Sequence, residues 1–385
     1  MRTIQPSESL DRLAAMVLEL WGLQFSKDRY KDLSRGVEAA AKSLGLPSET
    51  FVAMILREPA HSSRGKLLSI LVEKLTVGES YFFRETRSIH ALDESILPSL
   101  IHARSQQRDR RLRLWSAGCA TGEEPYTLSI LLDRVFKRLG ERREDWDVEI
   151  LATDINREFL RRARHGVYRQ WSFRAAPPWL KERYFEETND NRWRVKDKVR
   201  ELIRFRLYNL CDRETRLAEG SGMDVILCRN VLIYFSYEKM ACALKNLRSH
   251  LAAQGWLITS PTESAHVLES NIFVPCRVLD LLAFCKAEPE SPQPPEVPPP
   301  AEPAIPYAVA GGADMAWYGG ATAGEPAMSA GMADASVAVH APEPTAPTVD
   351  EVGGALEAAE AAIVHGELER AEAYARSFLH KNGNA

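Results

Sequence analysis

The sequence predicts an α/β chain: a mostly parallel sheet covered by helices on both faces, finished by an antiparallel last strand and preceded by a helical region. Three observations predict it. Up to about residue 100 apolar residues recur at helical spacing, beyond Leu112 short β-rich runs alternate with helical stretches, and the last two apolar runs, in FVPCRVLDLLAFCKA, have no helix between them. At 385 residues, 45% of them hydrophobic, the chain exceeds one ordinary domain and has the apolar content to bury more than one core.

The elements follow in order. Leu10, Leu13, Met16, Val17 and Leu20, then Leu67, Leu68, Leu71 and Leu75, mark a helical domain over residues 1–100. Residues 101–286 hold the strands RLWSAG, VEILATDI, LIRFRLYNL, MDVILCRN and WLITSP, followed by the apolar pair that closes the sheet as a hairpin. Between the second and third strands, GVYRQWSFRAAPPWLKERYFEETNDNRWRVKDKVRELIRF has too many turns and aromatics for one crossover helix. It predicts a small inserted β-subdomain at about 166–205, with Trp171, Trp179 and Trp193 as its packing. Residues 287–350 are rich in Pro and Ala without periodicity and read as a disordered linker, too poor in apolar surface to offset ordering entropy. Residues 351–385 return to helix, with Gly366 at a turn and alanines at 359, 371 and 375, the spacing of part of a tetratricopeptide unit of ~34 residues.

Composition excludes several classes. A net charge of −4 gives no basic surplus for holding nucleic acid by phosphate neutralisation. The six cysteines fall singly, with no C-x-x-C pair, and the nine histidines show no ligand spacing, so neither a metal site nor a disulfide framework is expected. No apolar run approaches the ~20 residues of a membrane span, and the first twenty residues carry acids inside their apolar stretch, unlike a signal peptide. The expected location is the cytoplasm, without membrane insertion.

The chemistry concentrates in LWSAGCATGEEPYTLS, where a strand runs into small residues, two glycines and two glutamates. Carboxyl ends of strands in open α/β sheets bind ligands, and Gly118 and Gly122 let one approach the backbone. Glu123 and Glu124 would repel a phosphate at the next helix start, and both the G-x-G-x-x-G of a dinucleotide site and the P-loop lysine are missing. S-adenosylmethionine fits better, because it brings a sulfonium, an ammonium and a ribose diol that a carboxylate binds. Asp154, ending the second strand, is placed to accept from that ribose. Each acid also has a plainer use, Glu123 as a helix-start acid and Asp154 as a cap on NREFLRRA. Cys119 reads as a small residue in the turn rather than a nucleophile.

TVGESYFFRE, LWSAGCATGEEPYTLS, LATDIN, YNL and above all CRNVLIYF, in this order over residues 10 to 285, resemble the CheR-type chemotaxis protein methyltransferases. The resemblance implies an S-adenosylmethionine-dependent Rossmann-like methyltransferase fold with a helical N-terminal domain and an inserted β-subdomain. It implies methyl transfer to glutamate side chains of chemoreceptors, on their cytoplasmic helical bundle, giving methyl esters for sensory adaptation. Carried over by position, Gly78, Ser80 and Arg84 line the cofactor, with Arg84 on its methionine carboxylate. Glu123 and Asp154 take the adenosine side, while Asn209, Leu210, Asn230 and Val231 surround the adenine and the methionyl end. Arg84 and Tyr234 are the expected catalytic pair, Tyr234 holding or shielding the incoming carboxylate or serving as an aromatic wall.

The chain departs from the family pattern in three places. Gly78 and Ser80 replace the usual Asn and Thr, RGVEAAAKSLGL keeps only Arg35 and Lys42 of an arginine-rich helix, and FEETNDNRWRVKDKVREL lacks the glycine-bearing insertion of members that bind a receptor's C-terminal pentapeptide. The expectation is a pentapeptide-independent enzyme whose tetratricopeptide tail docks a protein partner. The competing reading is a catalytically weak scaffold that binds partners through that repeat; intact CRNVLIYF and Arg84 speak against it. An amino-methylating enzyme acting on nucleic acid would carry Asp/Asn-Pro-Pro-aromatic after the fourth strand, where this chain has Arg229-Asn230-Val231-Leu232.

Overall fold

The computed structural model describes residues 6–57, 64–212, 217 and 222–286; the linker and the repeat expected from the sequence lie outside these. Four helices open the chain, α1 (Pro6–Trp21), α2 (Tyr30–Ser43), α3 (Ser48–Arg57) and α4 (Arg64–Leu75). Their periodic apolar positions, among them Leu13, Val17, Leu33, Val37, Phe51, Ile55 and Leu71, meet in one buried cluster, as an apolar stripe on each helix requires. No helix of the described residues is long and apolar enough to cross a membrane.

The next helical stretch, α5 (Thr86–Ala91) and α6 (Leu97–Gln106) joined through a π-helical turn at Leu92–Ile96, belongs to a different core. Phe82, Phe83, Ile89, Leu92, Ile96 and Ile101 pack with the sheet residues Leu112, Leu114, Ile150 and Val225. The break expected at residue 100 therefore falls earlier, between Leu75 and Phe82. Helical spacing predicts both stretches as helix but does not tell which core receives them.

The sheet strands are β1 (Arg111–Ala117), β2 (Asp147–Asp154), then β3 (Val167–Tyr168), β4 (Phe185–Thr188) and β5 (Arg192–Val195) of the insertion, β6 (Ile203–Leu207), β7 (Met223–Cys228), β8 (Leu251–Thr259), β9 (Val274–Val278) and β10 (Leu281–Cys285). The main sheet has the order β6-β2-β1-β7-β8-β10-β9. Strands β6, β2, β1, β7 and β8 run parallel, and β10 is antiparallel to both β8 and β9. This is the Rossmann-like sheet with antiparallel closing strands that the sequence predicts. Every residue of β7 is buried, which is why MDVILC reads as a continuous apolar run rather than an alternation. At the edge, β6 alternates, with Arg204 and Arg206 exposed.

Helices α7 (Glu123–Arg138), α8 (Arg157–His165), α9 (Trp179–Tyr184), α10 (Asp197–Arg200), α11 (Tyr237–His250) and α12 (Pro261–Glu269) complete the fold. The insertion is a three-stranded antiparallel sheet of order β3-β5-β4. Phe82 anchors it, with ring centroids 4.9 Å from Tyr168, 4.9 Å from Phe173 and 5.0 Å from Phe185. Because β1 pairs with β2 on one side and β7 on the other, the chain leaves β1 in one direction and returns beside it. A crevice opens where the two paths part, at the carboxyl ends of these strands.

Candidate cofactor and active site

A pocket occupies that crevice. Its floor is the turn after β1. Gly118 has φ +85°, and a Cβ there would stand 2.3 Å from Val231 Cγ2, so the loops after β1 and β7 meet at a point that admits only glycine. The N–H groups of Gly118 and Cys119 both donate to the Thr153 carbonyl at 2.8 Å, tying the turn to β2. Asp154 completes the tie: Oδ2 accepts from Ala120 N–H and Oδ1 from Asn156 N–H, each at 2.8 Å. The cap of α8 is Asn156, whose Oδ1 accepts from Phe159 N–H at 3.0 Å, which leaves Asp154 on the pocket lining. Burial pushes the Asp154 carboxyl up to about 6, against the opposing pull of the backbone N–H groups of Asn156, Ala120 and Ile155. The Cys119 thiol is raised well above its usual range, chiefly by burial and then by Asp154 and Glu124 nearby, and stays protonated.

Two expected residues stand elsewhere. Glu123 is buried and ties the start of α7 to its surroundings, Oε2 accepting from Thr121 Oγ1 at 2.7 Å and Oε1 from Ser172 Oγ at 3.0 Å. Glu124 takes the pocket position instead. Successive helix residues point about 100° apart, so only one of the pair faces the crevice. Gly78 is absent from the lining too: a Cβ there would lie 2.5 Å from the Phe159 ring, so the position serves close packing. Ser80, Arg84, Asp154, Asn209, Leu210, Asn230, Val231 and Tyr234 all line the pocket. The Asn209 side chain is partly committed to the helical region, Nδ2 donating to the Leu20 carbonyl at 2.7 Å and Oδ1 accepting from Cys211 N–H at 3.0 Å.

Arg84 sits on a strained loop, with Phe83 at φ 60° and Glu85 at φ 69°, left-handed values that bulky residues rarely adopt. Two devices hold it. Phe82 and Phe83 are wedged into the core, and Arg229, its side chain 3% exposed, reaches across from β7. Arg229 Nε donates to Glu85 Oε2 at 2.9 Å, one Nη to Glu124 Oε2 at 3.3 Å, and the other to the Arg84 carbonyl. The Arg84 guanidinium donates to the Glu79 carbonyl at 3.0 Å and lies 5.4 Å from the Tyr81 ring centroid. Burial raises the Tyr234 phenol, and Arg84 is the foremost opposing influence, which puts the two groups in one electrostatic neighbourhood.

The loop after β7 is held by a residue that the sequence reading passes over. Glu263 on α12 is fully buried, Oε1 accepting from the N–H of Val231 and of Leu232 at 2.7 Å each. Its Oε2 accepts from Asn230 N–H at 2.8 Å, from Ser260 N–H at 3.0 Å and from the Ser260 hydroxyl. Ser260 and Glu263 form a capping box, legible as S-x-x-E in SPTE. Its second use, receiving a loop from thirty residues upstream, carries no local signal.

The remaining wall comes from the helical region. Trp21, Leu23, Phe25 and Arg29 line the pocket, and the chain there runs antiparallel to the loop after β7. Leu23 bridges Phe235, Gln24 N–H donates to the Tyr234 carbonyl at 2.9 Å, and Ser236 N–H to the Gly22 carbonyl at 3.2 Å. A glycine-floored crevice with carboxylates at Asp154 and Glu124, the cation of Arg84 and the rings of Phe159, Tyr208 and Tyr234 has partners for the ribose, sulfonium, carboxylate and adenine of S-adenosylmethionine.

Residues 78–274, just over half of the chain, match the family model described as CheR methyltransferase, SAM binding domain. The chain belongs to the CheR methyltransferase family. It is an S-adenosylmethionine-dependent methyltransferase. Chemotaxis protein methyltransferase 1 of Pseudomonas aeruginosa is 36% identical over 212 residues, 54% of this chain and 74% of that protein. The chemotaxis protein methyltransferase of Borreliella burgdorferi is 29% identical over 258 residues, 67% of this chain and 88% of that protein. Among solved structures, magnesium protoporphyrin IX methyltransferase from Synechocystis with bound SAM covers 66% of this chain and 97% of its own, at 13% identity and a TM-score of 0.28, too low a likeness to bear on function.

Proposed function

We propose that the CheR domain of this chain transfers a methyl group to glutamate side-chain carboxylates of chemoreceptors in the cytoplasm, forming methyl esters for sensory adaptation. The observation that carries the reading is the make-up of the pocket: Arg84 and the un-ionised Tyr234 stand together on its lining, and among the described residues that lining holds no histidine or lysine. A glutamate, with a reference pKa of about 4.3, is already ionised at neutral pH and needs no base, whereas a protonated amine acceptor would. The relatives named as chemotaxis protein methyltransferases support the receptor as acceptor.

Bound S-adenosylmethionine supplies the electrophilic methyl group on a sulfonium. In this reading the protein positions rather than performs acid–base chemistry, an effect that can supply roughly 7 to 11 kcal/mol. Arg84 pairs with the methionine carboxylate, Asp154 accepts from the ribose, and Glu124 faces the cationic part of the ligand. Ser80, Asn209, Leu210, Asn230 and Val231 form the walls, and Tyr234 donates its phenolic hydrogen bond to the incoming carboxylate, which orients one oxygen. The β4–β5 connection, residues 189–191, is a tight turn, in keeping with docking that is independent of a receptor pentapeptide.

Labelled methyl groups on receptor protein should be released by mild alkali. Retention through alkali places the methyl on nitrogen and ends the carboxyl-transfer reading. Binding of S-adenosylhomocysteine by titration calorimetry separates an enzyme from a scaffold, since a pocket kept only for structure would not bind it.

A further inference from the structure

The six cysteines, which fall singly in the sequence, are not equivalent in the fold. Cys119, Cys228 and Cys242 are buried, and Cys211 is half-buried with its Sγ directed to the Lys239 carbonyl at 3.7 Å. Cys276 and Cys285 are brought together. Both are half-buried, and their Sγ atoms stand 2.8 Å apart. The closing hairpin produces this meeting. Strands β9 and β10 pair antiparallel with Cys276 opposite Ala283 and Cys285 opposite Val274, so the two cysteines are diagonal neighbours on one face of the sheet. The outer strand is loosely held. β9 is the edge of the main sheet, Pro275 removes one donor from its backbone, and of its five residues only Val278 is buried. The turn back into β10 places Leu279 at φ 52°, a left-handed value that bulky side chains rarely adopt.

We propose that Cys276 and Cys285 form a peroxide-responsive thiol pair, which closes to a reversible disulfide and pins the edge strand to the sheet. Disulfide sulfurs lie about 2.05 Å apart, so closure asks for less than about 1 Å of travel from a strand that is paired on one side only. Burial, and after it the neighbouring Cys276 thiol, raises the Cys285 thiol above its usual range, so Cys285 stays protonated and Cys276, on the outer strand, meets the oxidant. Cys276 gives up its proton, and its sulfur attacks one oxygen of hydrogen peroxide. The O–O bond breaks, the sulfur becomes a sulfenic acid, and the second oxygen leaves as water with that proton. The Cys285 sulfur then attacks the Cys276 sulfur. The S–O bond breaks, and the departing hydroxide takes the Cys285 proton and leaves as a second water. Two thiols have lost two electrons, and these have reduced peroxide to water. A small dithiol restores the pair by exchange and is itself oxidised to a disulfide. In a reducing compartment the resting form is the dithiol, which suits a redox-sensing pair rather than a permanent cross-link. Neither cysteine lines the pocket, so the modification acts on the sheet edge and not on the ligand.

The test is peptide mapping of the full chain after hydrogen peroxide, with remaining thiols blocked by iodoacetamide before trypsin. Trypsin cuts after Arg277 and so separates the Cys276 peptide, Ser249 to Arg277, from the Cys285 peptide, Val278 to Lys286. After peroxide the two should run as one species, lighter by two hydrogens than their sum, and dithiothreitol should part them. The thermal midpoint of the wild type should rise by roughly 5 °C on oxidation and fall back on reduction, whereas Cys276→Ser and Cys285→Ser should show no rise. Iodoacetamide on both cysteines of the treated protein, a sulfinic or sulfonic acid on either in place of the linked species, or linkage of either to a different cysteine overturns the proposal. A linked pair that leaves the midpoint unchanged overturns it also, since the bond would then pin nothing.

Discussion

At the scale of single residues, Arg84 and Asp154 make opposite electrostatic demands on one ligand. Arg84→Ala leaves the methionine carboxylate unpaired in a partly desolvated pocket, and affinity for S-adenosylhomocysteine should fall by about 2 to 5 kcal/mol by calorimetry. Asp154→Asn should cost less, because the amide oxygen still accepts one hydrogen bond. Its pH behaviour is more telling. The folded-state pKa of Asp154 is raised to about 6 by burial, so its protonated form favours the fold, a contribution fully present below the unfolded value near 3.8 and lost as pH rises through 6. Binding runs the other way. Protonation removes one acceptor from the ribose, so affinity should fall as pH drops below about 6 and level off near that of Asp154→Asn, whose own profile stays flat between about pH 5 and pH 8. A wild-type profile as flat as the variant's would remove Asp154 from the ribose. The choice between Glu123 and Glu124 could not be made from the letters GEE. It depends on the rotational phase of α7, which Gly122 sets as its N-cap at φ +99°.

At the scale of elements, two buried charges join segments distant in sequence. Arg229 links the end of β7 to the strained Arg84 loop and to the first turn of α7, and removing it takes the ion-pair partner from both Glu85 and Glu124. Arg229→Met should lower stability by about 3 to 5 kcal/mol in urea unfolding and weaken S-adenosylhomocysteine binding at the same time. An unchanged midpoint would show that the three charges are not energetically coupled. Glu263→Gln replaces one accepting oxygen by an NH2 group facing N–H donors, so the loop from Asn230 to Leu232 should loosen and ligand affinity should drop, although Glu263 itself is absent from the pocket lining. Strand β7 was legible because a strand buried on both faces is continuously apolar, β1, β2 and β8 because their carboxyl-terminal halves are buried apolar runs, and the ligand end of β1 because only glycine fits at 118. The clamps were not, because a carboxylate that receives a loop from another element leaves no periodic trace. Gly78 misleads for the converse reason: a glycine in a motif announces close approach, and here the close partner is Phe159 rather than a ligand.

At the scale of the whole molecule, the lining among the described residues ends at Phe235, and a chain ended at Lys286 should keep its affinity for S-adenosylhomocysteine. Loss of that affinity would mean that the C-terminal hundred residues build part of the site. The helical region, in contrast, supplies part of the pocket wall, and its role was hidden because Trp21 to Arg29 reach the crevice by a chain path that hydrophobic spacing does not describe. Its attachment has a kinetic consequence. The strip at Gly22 to Gln24 meets Tyr234 to Ser236 through two backbone hydrogen bonds, and Leu23, Gln24, Tyr234 and Phe235 of these strips line the pocket. A ligand packed against both strips should hold this two-rung clasp shut, so exchange of the Gln24 and Ser236 amides with deuterium should slow when S-adenosylhomocysteine is bound; exchange unchanged by the ligand would show that the clasp opens independently of the pocket.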